Sequence, residues 1–133
     1  DISRAFVVGN KFNDEQKKLY SMAVDQINHN YRIIKPGVSF KEFTERSWTL
    51  PDEYYGNRYS VMLHGIGMCD EWPAIRYPTD GGQRNGQFEK NMTITLESYI
   101  GKVGGKEGVK LEQQYLVGEN GLELMSHHPL EDI

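Results

Sequence analysis

Met92-Thr93-Ile94-Thr95-Leu96-Glu97 is the stretch on which the fold turns. Its strict alternation sends Met92, Ile94 and Leu96 to one face of a strand and Thr93, Thr95 and Glu97 to the other. Downstream the pattern returns in 108–117. Val109, Leu111, Tyr115 and Val117 share a face there, with Lys110, Glu112, Gln114 and Leu116 opposite. Two shorter strand-like runs, 61–64 and 122–125, complete the set, and glycine-rich turns punctuate the region. The second half of the chain therefore reads as an antiparallel sheet with one apolar and one polar face.

Upstream the period changes. Asn13 and Gln16 have the spacing of a capping box, and Leu19, Met22, Ala23 and Ile27 then recur every three or four residues, with Tyr20, Val24 and Tyr31 widening the stripe. This predicts a helix that runs until Lys35, Pro36 and Gly37 stop it. Ser39 and Glu42 form a second capping box, and Val38 with Phe43 a hydrophobic staple, so a short helix is expected before Pro51. The stretch 72–90 holds Pro73, Pro78, Gly81, Gly82 and Gly86 and reads as one long loop.

A chain of 133 residues suits one domain, and 38% hydrophobic with 26% charged residues is ordinary for a globular protein. Nothing approaches the ~18 apolar residues of a membrane span. The net charge is -4 and the Lys and Arg residues are scattered, which argues against nucleic acid as a partner. A lone cysteine, Cys69, cannot form an intrachain disulfide and reads as a small buried hydrophobe; the cytoplasm is the expected compartment. Asp1 leads straight into the strand-like run 2–8, so the expectation is a chain that starts inside a folded element, with an N-terminal part elsewhere in the protein.

The side chains able to carry chemistry lie on the polar face. By periodicity alone, Glu97 and Glu112 are two solvated carboxylates on the wet side of a sheet. His64 ends an apolar strand and is followed by Gly65-Ile66-Gly67, where the absence of a Cβ allows close backbone approach and lets the ring face a cleft.

Taken in order, Asp-Ile-Ser-Arg-Ala-Phe-Val-Val-Gly at the start, two helices, His64-Gly65-Ile66-Gly67, Thr95-Leu96-Glu97, Lys110-Leu111-Glu112 and a turn at Gly121 resemble the pita-bread metallopeptidases and creatinase-like proteins along the whole length. The resemblance implies an α+β pita-bread fold, with helices on one face of a curved antiparallel sheet and metals in the hollow of the other. Residues 1–133 would be the C-terminal portion of its catalytic domain. It further implies two divalent metal ions on Asp1, His64, Glu97 and Glu112, with one more aspartate lying upstream. Mixed carboxylate and imidazole ligands suit iron first, with zinc, manganese or cobalt as alternatives. The full-length protein is expected to be a homodimer acting on a small molecule.

Peptidases of this family commonly place a second histidine seven residues after the first, where this sequence has Glu71, and a proline after the later glutamate, where it has Ser98. The run His64-Gly65-Ile66-Gly67-Met68-Cys69-Asp70-Glu71-Trp72-Pro73, with Leu96-Glu97-Ser98-Tyr99-Ile100-Gly101, is more similar to the dimethylsulfoniopropionate lyases of this fold. That resemblance implies Asp70 as the base of a β-elimination. Trp72 and Tyr77 either offer aromatic faces to the sulfonium cation, a contact worth about 0.5–2 kcal/mol, or pack the loop. A proline-directed aminopeptidase or dipeptidase is the alternative reading, and a metal-free binding module a further one.

Overall fold

The computed structural model describes residues 1–9, 11–68, 71–82 and 84–130; Cys69 and Asp70 lie outside the described residues. Three helices, α1 (Asp14–Tyr31), α2 (Phe40–Arg46) and α3 (Asp52–Tyr55), precede the strands β1 (Leu63–Gly65), β2 (Ala74–Ile75), β3 (Thr93–Gly101), β4 (Gly108–Val117) and β5 (Leu122–Leu124). The strands form one antiparallel sheet in the order β2-β1-β3-β4-β5.

The expected capping box starts α1: Asn13 Oδ1 accepts from the Gln16 amide at 2.8 Å, and Gln16 Oε1 accepts from the Asn13 amide at 3.0 Å. Leu19, Tyr20, Ala23 and Ile27 form its buried face. The helix stops at Tyr31, four residues short of the expected end. The Ile33 and Ile34 amides bond back three residues, to Asn30 and Tyr31, which tightens the chain and buries both isoleucines before Gly37. Ser39 caps α2 by accepting from the Glu42 amide at 3.0 Å. The Glu42 side chain turns instead to Arg46, so only half of the second capping box forms.

The long loop is less plain than its composition suggests. It contains β2, two residues that pair with Leu63 and His64, and single bridges from Ile75 to Gly82 and from Gln87 to Ser39. A two-residue strand is too short to show a period. Conversely, the strand-like run 2–8 makes only one bridge, Ser3 to Glu112, while Phe6 and Val8 are exposed.

β3 and β4 pair from Thr93 with Leu116 to Gly101 with Gly108, and α1 packs across both. Ile94, Leu96, Ile100, Leu111 and Val109 are buried with the apolar face of α1 in one core. No described helix is long and apolar enough to cross a membrane.

Candidate metal centre

Register dictates what meets on the far face of the sheet. In an antiparallel ladder, paired residues point to the same side, so the pairing of Glu97 with Glu112 sets two carboxylates directly opposite each other, and the pairing of His64 with Thr95 brings the imidazole to that face. The expectation of a wet face fails here. His64 is 5% exposed, Glu97 2% and Glu112 2%. Like charges facing each other in such burial require cations close by.

Two cations meet that requirement. His64 Nε2 stands 2.8 Å from Glu97 Oε1 and 3.5 Å from Glu112 Oε1. Its Nδ1 donates to the Gly65 carbonyl at 2.8 Å, which fixes the ring so that Nε2 faces the carboxylates. Lys110 holds the other oxygens: its Nζ donates to Glu112 Oε2 at 3.1 Å and lies 3.0 Å from Glu97 Oε2, an ion pair without hydrogen-bond alignment. Ser3 Oγ adds a donor to Glu112 Oε2 at 2.9 Å, and Thr95 Oγ1 one to Glu112 Oε1 at 3.0 Å. The hydrogen bonds to Glu112 and then Glu97 outweigh burial and raise the His64 imidazole to about 10. Burial alone would raise Glu112, but the donors His64, Ser3 and Lys110 hold it at about 2.

Among the described residues, Asp1, His64 and Glu112 offer ligand atoms all within 4.8 Å of one another. Glu97 adjoins through His64. This donor set, one imidazole and three carboxylates, fits a divalent first-row metal, and the unaligned, buried Glu97 Oε2 is an oxygen with capacity to spare. A cavity of about 450 Å³ opens onto the group, lined by Asp1, His64, Gly65, Ile66, Gly67, Met68 and Glu71.

Gly65 is needed here for its missing side chain. A Cβ would stand 1.8 Å from the Trp72 carbonyl oxygen, and the Gly65 amide donates to the Pro73 carbonyl at 2.8 Å. The returning segment 71–75 therefore lies directly over the turn after His64, and it delivers Glu71 to the cavity rim.

Relationships to known proteins then place the chain. The model of metallopeptidase family M24 matches residues 1–119. The chain belongs to this family. A dimethylsulfoniopropionate lyase, DddP, of Roseovarius nubinhibens is 36% identical over 98% of this chain and 30% of its own length. An Xaa-Pro dipeptidase of Pyrococcus horikoshii is 33% identical over 91% of this chain and 33% of its own. Among solved structures, the X-Pro aminopeptidase of Thermotoga maritima superposes with a TM-score of 0.77 at 26% identity, covering 98% of this chain and 36% of that one. The chain thus spans about a third of the length of these family M24 relatives. The α+β pita-bread architecture expected from the sequence is the one this family and this structure share.

Of the site residues expected from sequence, Asp1, His64, Glu97 and Glu112 come together, and Asp70 lies outside the described residues. Trp72 is 51% exposed and stands edge-on to Phe40, not among the residues lining the cavity. Tyr77 goes to the core. It is 1% exposed, its ring packs edge-on against Tyr55, and its hydroxyl accepts from Gln26 Nε2 at 3.0 Å, which leaves no open face for a cation. The sequence alone assigns no role to Lys110, Thr95 or Ser3. Period two gives away the first two, since each lies two residues before a glutamate on its own strand; nothing local marks Ser3.

Proposed function

We propose that this family M24 protein is a metal-dependent lyase that cleaves dimethylsulfoniopropionate to dimethyl sulfide and acrylate. The observation that carries the reading is Glu71 on the rim of the cavity. A carboxylate there does not donate a hydrogen bond to the tetrahedral intermediate of peptide cleavage, as a histidine would. It does attract a sulfonium cation, since a negative charge at a cavity mouth concentrates positively charged substrates. The identity to the Roseovarius lyase over nearly all of the chain supports the same reading.

Elimination removes a proton from the carbon beside the substrate carboxylate. The resulting electron pair forms the carbon–carbon double bond, and the carbon–sulfur bond breaks with its electrons going to sulfur. Asp70 is the proposed base and receives the proton. Two divalent ions, iron first with zinc, manganese or cobalt as alternatives, would be held by Asp1, His64, Glu97 and Glu112 and would stabilise the negative charge that develops at the substrate carboxylate. His64 is oriented for this by Gly65, and Glu112 by Thr95 and Ser3. Residues 1–133 would contribute the C-terminal portion of the catalytic domain.

The second reading, Xaa-Pro peptide hydrolysis, is favoured by the dipeptidase of P. horikoshii at 33% identity. The intact protein, loaded separately with iron, manganese and zinc, should release dimethyl sulfide from dimethylsulfoniopropionate and leave Xaa-Pro dipeptides uncut. Asp70→Ala should abolish sulfide release with bound metal unchanged. Peptide cleavage without sulfide release would reverse the choice between the two readings.

A further inference from the structure

Lys110 occupies a position that the four proposed ligands leave unexplained. Its side chain is one-third exposed, yet its ammonium sits against both buried glutamates, at 3.0 Å from Glu97 Oε2 and 3.1 Å from Glu112 Oε2. Ser3 Oγ accepts from it at 3.3 Å. On its remaining side lies the face of Tyr59, with Nζ 4.5 Å from the ring centroid. The carboxylate oxygens are thus divided, the two Oε1 atoms facing His64 and the two Oε2 atoms facing Lys110.

We propose that Lys110 is a resident counter-ion that competes with divalent metal for the Oε2 atoms of Glu97 and Glu112, yielding them by moving onto the ring of Tyr59. The inference rests on the metal-binding reading of the site. Its physical basis is that an ammonium and a metal ion seek the same lone pairs and repel each other across a few ångströms of a partly buried site. A lysine suits the exchange better than an arginine would. It is a compact charge on a flexible stem, without the fixed fork that locks onto two oxygens at once, and an aromatic face already beside it can take the displaced charge. Lys110 is in this sense a positioning residue: it keeps two opposed, buried carboxylates in place and limits how tightly metal is held.

The test is calorimetric titration of manganese(II) into the chelator-stripped intact protein, with thermal melting of the same samples before and after loading. Lys110→Met should bind manganese about tenfold more tightly than wild type. Before loading it should melt lower, because its glutamates have lost a partner, and the gain in melting temperature on loading should be larger. Lys110→Arg, which keeps the charge, should not tighten binding. A residue that merely supports the fold would lower melting in both states and leave affinity alone or weaken it. Equal or weaker binding by Lys110→Met, with wild type binding normally, would overturn the inference and leave the metal site standing. Absence of binding in wild type and variant alike would overturn both. Should Lys110→Met not fold, Tyr59→Leu carries the test: with the receiving ring gone, manganese should bind more weakly than to wild type, and unchanged binding would defeat the proposal.

Discussion

The two faces of the β3–β4 ladder both bury their central side chains and are closed in opposite ways. Under α1, Ile94, Leu96, Ile100 and Leu111 pack into the apolar core, and a neutral polar chain runs among them in which Ser98 donates to Gln26 Oε1 at 2.6 Å and Gln26 donates to Tyr77. On the other face Glu97 and Glu112 oppose each other and are satisfied by His64, Lys110, Ser3 and Thr95. The first face owes its stability to area removed from water, which is indifferent to pH and to cations. The second depends on charge balance, so whatever changes charge there changes both stability and ligand binding. A fold can thus carry a costly cluster on one side of a strand because the other side of the same strand supplies the adhesion.

Breaking the charged face should give the largest effect. Glu112→Ala removes the residue shared by His64, Lys110, Ser3 and Thr95, and leaves Glu97 as the one carboxylate to balance two cations. A loss of about 3–5 kcal/mol in unfolding stability is expected by denaturant titration, together with loss of bound metal. On the apolar face, Ile94→Ala should cost about 2–5 kcal/mol through its cavity, and the loss should be the same at every pH tested. A pH-dependent loss for Ile94→Ala would mean that the two faces are coupled.

The pH dependence of melting in chelator-treated protein sharpens the contrast further. His64 is raised from about 6.5 to about 10, so its contribution is fully present below about 6.5 and disappears as pH climbs toward 10. Glu112 is depressed from about 4.5 to about 2, so its contribution is present above about 4.5 and disappears as pH falls toward 2. The site should therefore stabilise the fold most between these limits, and His64→Gln should flatten the alkaline decline. Metal that takes Nε2 must displace its proton, so loading near neutral pH should release one proton from His64, measurable as a buffer-dependent heat. Gln26→Leu strands Ser98 and Tyr77 and should cost about 1–3 kcal/mol with no change in either arm of the profile. Smallest of all, Asn13→Ala loses the α1 cap, remote from both faces, for about 1 kcal/mol.

Much of this was legible in the residues. The caps of α1 and α2, the alternation in β3 and β4 and the grouping of Glu97, Glu112 and Lys110 on one face are local consequences of helix and strand periods, which the chain carries in itself. His64 with its glycines was marked by a local need, and Gly65 meets it, since only a residue without a Cβ fits beneath the Trp72 carbonyl. What spacing leaves open is the partner across the sheet. The burial of the polar face, the division of the carboxylate oxygens between His64 and Lys110, and the approach of Ser3 from more than a hundred residues away follow from strand order and register, which no single segment encodes. Loop aromatics show the same limit. Tyr77 has the composition of a binding residue, and only the closing of its loop over α1 commits it to the core, because a side chain's environment is set by whichever surfaces the finished fold presses against it.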